Sequence, residues 1–538
     1  MRNLLNISQR HSRDSPLTNT RRNCTIYIVI YPESRPMYKR LAFNTASNLG
    51  TLFLKLGITF VMTPILIKNM GNYDYGLWEM VGAVIGYMGM LDMGIRPAVS
   101  RFAARFIAQK DESALTTLYA TAWYFLLGVG LLIALILGLG GMFFAELVAP
   151  EESTDNVRYT WFLLILAAQL LITFPSYTAE SYLEAYQEYY LKNNVTIVNS
   201  ILGSTILFIF ITPENALVLL AATNAIGICS KYLFLVWLMQ YRRPFLSLRR
   251  AYFSLLKLKE LLRFSVKTLV QGVATKMENA TDSLVIGFVM GPAAVPLYSI
   301  PANLVSYIRL ISYNFTHVFM PYFSSLGALN DQQKIQEVYL TGSKFTVAPC
   351  LILAIGAYTL GPEFLSLWVG DEIARSAQEF LGVLIAFLVL PLVNPMASRY
   401  LTAIDKHGFF AKWQPIVALS NLGLSLLLIY PLGILGVALG SLIPALVFQP
   451  IVLGVCCKHL GFSPFVYLRF ALLPWLIPCV AMAATLVAAK QFFVITNYGI
   501  LLAIASVASM VFIVVGALFA LNQHERSQLM AIVKRKKN

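Results

Sequence analysis

Lys267, Gln271, Thr275, Glu278 and Asp282 recur every three or four residues inside an otherwise apolar stretch, 264–286. At helical phase they fall within about 80° of one another, so a helix here would carry one polar stripe, with Lys276 on the other side and left without a partner by this reading. Asn44, Asn48, Thr51, Lys55 and Thr59 form a second stripe of the same kind. Such groups can line a path for a polar substrate or an ion. Inside hydrocarbon a charged side chain costs a few kcal/mol or more, so it faces protein or a water-filled cavity rather than lipid.

Two further cations fall within apolar runs, Arg309 and Lys231. The bland reading is internal pairing, for example Glu278 or Asp282 neutralising Arg309 or Lys55 to hold a bundle together. For the set as a whole, a substrate or ion pathway is the better expectation, with Asn44, Asn48, Lys55, Lys231, Lys267, Gln271, Tyr298 and Arg309 lining a central cavity. Glu278 and Asp282 stand at i and i+4, where like charges repel. Either one is protonated or a cation sits between them, which makes the pair a candidate proton or sodium site. Asp92 and Arg96, at the end of a predicted second helix, are candidate gate residues.

The elements that must hold these groups follow from composition. The chain has 538 residues, 58% of them hydrophobic and 12% charged, with a mean hydropathy of +0.68. Apolar runs of about 20 residues match a hydrocarbon core about 30 Å thick. The sequence therefore predicts an all-α polytopic membrane protein with about fourteen transmembrane helices. The net charge of +15 is concentrated in alternate loops, as the positive-inside rule requires, so it points to topology and lipid headgroups and not to nucleic acid. Arg96, Arg101, Arg105 and Lys110 share one side with the run from Arg242 to Arg263 and with Lys534–Lys537, whereas Glu151, Glu152, Asp155, Glu363, Asp371 and Glu372 lie on the other. Both termini are expected in the cytoplasm. Glu180, Glu184 and Glu188 go against this trend.

Met70-Gly-x5-Leu77-Trp78 recurs as Met290-Gly-x5-Leu297-Tyr298, and Tyr182-Leu-Glu-Ala185 as Tyr400-Leu-Thr-Ala403. The two displacements agree, which predicts two parallel six-helix repeats related by an axis along the membrane normal, plus a C-terminal helix pair. The expected organisation is a cytoplasmic tail over 1–40, with Met37 as the expected true start, a first bundle over 41–240, a basic connector over 241–263, a second bundle over 264–457, the extra pair over 458–521 and a basic tail over 522–538. The connector, with seven cations beside seven leucines, is expected to form either a short amphipathic helix on the inner leaflet or an ordinary positive-inside loop. Gly82-x3-Gly86 and Gly436-x3-Gly440 are expected at close helix contacts, and Pro175, Pro391 and Pro395 at kinks. The six cysteines and five histidines are scattered, so neither a disulfide framework nor a metal site is expected. The sequence has no phosphate-binding Gly-x4-Gly-Lys-Ser/Thr loop, no nucleophile elbow and no large loop to house an active site, which argues against an enzyme and implies no cofactor.

Tyr75-Gly-Leu-Trp78, Leu91-Asp-Met-Gly-Ile-Arg-Pro-Ala-Val-Ser-Arg-Phe102 and Gly433-Ile-Leu-Gly-Val-Ala-Leu-Gly440 resemble the Wzx-type oligosaccharide flippases of bacterial polysaccharide biosynthesis. The resemblance covers about residues 40–520. It implies the fold of the multidrug, oligosaccharidyl-lipid and polysaccharide exporter superfamily, in the bacterial inner membrane. It further implies movement of undecaprenyl diphosphate-linked repeat units to the periplasmic leaflet, within a system that includes a polymerase and glycosyltransferases. By the same resemblance, cations such as Lys55 and Arg309 would accompany the diphosphate, Asn48, Gln271 and Tyr298 would solvate sugars, and 468–521 would help hold the lipid tail. A cation-coupled drug exporter of the same superfamily is the nearest alternative, and a membrane polysaccharide polymerase or ligase a more distant one.

Overall fold

A computed structural model describes residues 37–527 apart from 90–93, 149–155, 317, 318, 329, 330, 407 and 524. The expected N-terminal tail before Met37, Asp92, the acidic loop at 151–155 and Lys534–Lys537 lie outside the described residues. So do the side chains of Lys267, Gln271 and Glu278, although the backbone there is helical. Among the described residues there is no strand.

The first helix, α1 (Met37–Met88), has 52 residues, about 78 Å at 1.5 Å per residue and more than twice the hydrocarbon thickness. It doubles back at Gly71, whose φ of 69° and ψ of 175° only a residue without Cβ adopts freely. Next come α2 (Ile95–Gln109), α3 (Glu112–Val148), α4 (Asn156–Ala185), α5 (Tyr189–Phe210) and α6 (Ala216–Arg242). The second series is α7 (Leu255–Met290), α8 (Val295–Thr316), α9 (Phe319–Ala328), α10 (Gln332–Val369), α11 (Asp371–Leu392), α12 (Ala397–Ala403) and α13 (Gly408–Leu460). The last is another doubled helix, folded at Gly433 with φ 57°. The C-terminal pair consists of α14 (Pro464–Tyr467), continued through π and 3₁₀ turns into α15 (Leu476–Phe492), and α16 (Tyr498–Val515).

Among the described residues, ten stretches are long and apolar enough to cross a membrane. Two of them fold back, at Gly71 and Gly433, and α7 and α8, which carry the charges at issue, complete the fourteen spans expected from the sequence. Outward faces bear large apolar side chains such as Phe53 (65% exposed) and Leu427 (70%), the surface a protein turns to lipid rather than to water.

The repeat is visible in backbone geometry. Gly71 and its counterpart Gly291 (φ 91°, ψ 160°) break the chain in the same way. Gln187 (φ 60°) and Asp405 (φ 58°) both end the Tyr-Leu-x-Ala segment in a left-handed turn. The two Gly-x5-Leu motifs also meet: a Cβ on Gly76 would stand 1.8 Å from the Pro292 carbonyl oxygen.

Gly436 and Gly440 pack as expected, against Leu428 and Ser425 of the other arm of α13. Gly82 does not: nothing lies within 4 Å of where its Cβ would stand, and with Gly86 it lines a cavity. Pro391 and Pro395 flank the break between α11 and α12, whereas Pro175 is accommodated inside α4. The connector forms no separate amphipathic helix. Its second half is the start of α7, and residues 243–254 hold only one short 3₁₀ turn. Two of its carbonyls tie it to α3, with Thr116 donating to Phe245 and Tyr124 donating to Leu248. Leu246 and Leu261 are buried in the core of the first half, so the leucines were read correctly as apolar anchors but in the wrong medium.

Candidate functional site

Of the polar residues predicted to share one lumen, Lys55 and Lys231 line one cavity and Tyr298 and Arg309 another. The first, of about 580 Å³, lies within the first half, between α1, α4, α5 and α6. Lys55 and Lys231 line it together with Gln169, Thr173, Thr196, Asn199, Ser204 and Asn224, and Trp78 and Tyr177 supply aromatic walls. The second, of about 420 Å³, lies between the halves, where the second arm of α1 faces α7, α8 and α11. Glu79, Asp282, Tyr298, Asn303, Ser306 and Arg309 line it. Trp78 borders both. Lys55 and Asp282 therefore line different cavities.

Asp282 is buried and accepts hydrogen bonds from Tyr298 Oη at 2.5 Å and from Ser441 Oγ at 3.1 Å. Tyr298 also stacks on Phe380, with ring centroids 5.7 Å apart, and the Arg309 guanidinium lies 5.1 Å from the Phe387 ring centre. The acid expected beside Glu278 is thus held by α8 and α13, so it couples three elements of the second half. Asn44 and Asn48 serve the first half as braces. Asn44 donates to the Gln187 carbonyl at 3.0 Å, and Asn48 accepts from Asn193 at 2.6 Å; neither lines either of these two cavities.

Arg96, expected at a gate, lies in a charge cluster beside the first cavity. Its guanidinium is 3.4 Å from Glu180 and 4.1 Å from the Tyr177 ring centre. Lys192 and Lys231 reach the other oxygen of Glu180, Oε1, at 3.3 and 3.7 Å, and Tyr232 Oη donates to Oε2, the oxygen that Arg96 faces, at 3.0 Å. Lys192 also pairs with Glu184 at 2.6 Å, while Arg242 and Arg243 pair with Glu188 at 3.2 and 3.0 Å. This explains the three acids that break the charge trend: each neutralises cations that crowd the basic end of the bundle. Glu180 and Glu79 were missed as site residues. Departure from the charge trend was the available signal for the first, and an acid within an apolar run for the second.

At the opposite end, two polar contacts and a packing contact join the halves. Trp368 Nε1 donates to the Phe60 carbonyl at 2.7 Å, and their rings stack 5.6 Å apart. That carbonyl has no intrahelical donor because the residue four places on, Pro64, has no N–H. Asn72 donates to Glu372 at 3.0 Å, and Gly76 abuts Pro292.

Residues 69–378, more than half of the chain, match the family model described as Polysaccharide biosynthesis protein. The chain belongs to that family. The Wzx-type resemblance read from the 75–78, 91–102 and 433–440 segments agrees with it. The uncharacterized membrane protein EpsK of Bacillus subtilis is 22% identical over 90% of this chain and 97% of its own length. The putative O-antigen transporter of Shigella flexneri is 20% identical over 77% of this chain and 98% of its own. The solved structure of the lipid II flippase MurJ in an inward closed conformation covers 89% of this chain and 98% of that one, at 15% identity and a TM-score of 0.63, which shows a shared fold. The probable low-salt glycan biosynthesis flippase Agl15 of Haloferax volcanii is 24% identical over 34% of this chain and 39% of its own length. The family model and the names of the relatives support a polysaccharide-related flippase, a multi-pass membrane transporter and not an enzyme.

Proposed function

We propose that this protein carries undecaprenyl diphosphate-linked oligosaccharide repeat units from the cytoplasmic to the periplasmic leaflet of a bacterial inner membrane, for O-antigen or exopolysaccharide synthesis. The observation that carries the proposal is the first cavity, where Lys55 and Lys231 share the space with amides and hydroxyls. A diphosphate needs cations able to donate charge-assisted hydrogen bonds. A sugar needs paired donors and acceptors beside an aromatic face, and Gln169, Asn199, Asn224 and Trp78 supply that chemistry. The polyprenyl tail stays in the bilayer, where the helix pair over 458–521 offers a flank.

Transport proceeds by alternating access: the halves over 41–240 and 264–457 rock against each other about their shared wall, with the connector over 241–263 and the tails over 1–40 and 522–538 in the cytoplasm. Lys267, Gln271 and Tyr298 contribute to the path between the halves, and Asp92 and Arg96 gate it. Protons or sodium ions acting at Glu278 and Asp282 bias the equilibrium, and a polymerase with glycosyltransferases supplies and consumes the cargo. Complementation tests the core of the proposal. In a flippase-null strain scored for surface polysaccharide, replacing both Lys55 and Lys231 with alanine lowers the product at least tenfold at unchanged protein level. Full restoration by that variant would refute it.

The carboxylates Glu79 and Asp282 in the second cavity favour one other reading, a cation-coupled drug exporter. Under that reading the protein would raise resistance to cationic drugs in a pump-deficient strain and would leave surface polysaccharide unrestored.

A further inference from the structure

We infer that Glu180 is a built-in counter-anion that sets how tightly the first cavity holds an anionic headgroup. This rests on the reading of that cavity as the site of a lipid diphosphate. Three cations from three helices, Arg96, Lys192 and Lys231, lie within 4 Å of this single buried carboxylate. Salt bridges whose only purpose is to fasten helices together need one partner each, and a surplus of cations around one acid costs desolvation with no matching pair. Glu184 takes part of that surplus through Lys192. Lys231 faces the cavity that Lys55 also lines, with Tyr232 and Tyr177 beside it. Glu180 holds Lys231 from behind, its contact at 3.7 Å the longest of the three, and Lys55 has no ion pair among the described residues.

The arrangement has a physical consequence. An anion entering the cavity competes with Glu180 for Lys231, while Arg96 and Lys192 keep the carboxylate compensated. The empty site therefore avoids an uncompensated buried charge, and the loaded site is not so tight that its cargo cannot leave. A transporter needs this balance, because binding one state too strongly slows the cycle. Glu180 is a positioning residue: it touches the lysine and not the cargo.

The sign of the effect separates this role from a merely structural one. In purified full-length protein, with farnesyl diphosphate as the probe, Glu180→Gln tightens binding at least tenfold, the effect of removing a repelling unit charge within about 12 Å at an effective dielectric near 20, and in cells it lowers polysaccharide output. Lys192→Gln acts in the opposite direction. Although Lys192 does not line the cavity, its loss leaves Glu180 freer to hold Lys231 and weakens probe binding by a similar factor. The double variant Glu180→Gln, Lys192→Gln returns to within about threefold of the unsubstituted protein, a coupling that a double-mutant cycle reads directly.

If Glu180→Gln weakens probe binding or leaves it unchanged, the inference is overturned. If that variant does not fold, Lys192→Gln decides alone, and unchanged affinity overturns the inference. Loss of the parent reading looks different: the unsubstituted protein would bind the probe with no dependence on Lys55 or Lys231.

Discussion

Asp282 shows what a single buried acid requires. Its carboxylate is buried with Tyr298 and Ser441 as donors, and removing a donor from a buried acceptor costs about 1–3 kcal/mol. Tyr298→Phe is therefore expected to lower the thermal midpoint of the detergent-solubilised protein clearly, and Ser441→Ala to lower it less, because the Ser441 contact is longer. If Asp282 also couples an ion, Asp282→Asn abolishes the dependence of transport on the ion gradient while headgroup binding in the first cavity persists. Retention of that dependence would remove Asp282 from the coupling mechanism.

Close approach and hinging are decided at the level of whole helices. The arms of α13 meet at Gly436, where a Cβ would stand 2.1 Å from the Leu428 carbonyl oxygen. Gly436→Ala therefore separates the arms and costs about 1–3 kcal/mol or more, whereas Gly454→Ala, with nothing within 4 Å of its Cβ position, is neutral or slightly stabilising. Thermal midpoints of the two variants make the comparison. In α1, Pro64 leaves the Phe60 carbonyl available to Trp368. Trp368→Phe keeps the ring stacking and deletes one hydrogen bond worth about 1 kcal/mol, a shift of about fivefold toward opening at that end. The rate at which a cysteine placed at position 72 reacts with an impermeant thiol reagent reports it, and an unchanged rate would show that the bond does not restrain opening.

Across the whole molecule, the halves meet at Asn72–Glu372 and Gly76–Pro292 at the end away from the basic loops. Under alternating access those contacts must part in each cycle. A short bis-maleimide joining Asn72→Cys to Glu372→Cys, in a background without the native cysteines, should therefore stop polysaccharide export while leaving probe binding intact. Export that continued under full cross-linking would mean that the halves need not separate there.

Hydropathy, charge distribution and the two recurring motifs were sufficient for the membrane class, the number of spans and the duplicated fold, because those properties depend on average composition and on local backbone preference. Gly71 and Gly291 announced the same turn in both halves for that reason. The division of polar residues between two cavities, the braces made by Asn44 and Asn48, and the gathering of Arg96, Lys192 and Lys231 on Glu180 were beyond the sequence. Helical phase states which way a side chain leaves its own axis, but its partner depends on the rotation and depth of a neighbouring helix. Those are set by packing across residues 50 to 300 positions apart, and only the tertiary structure decides them.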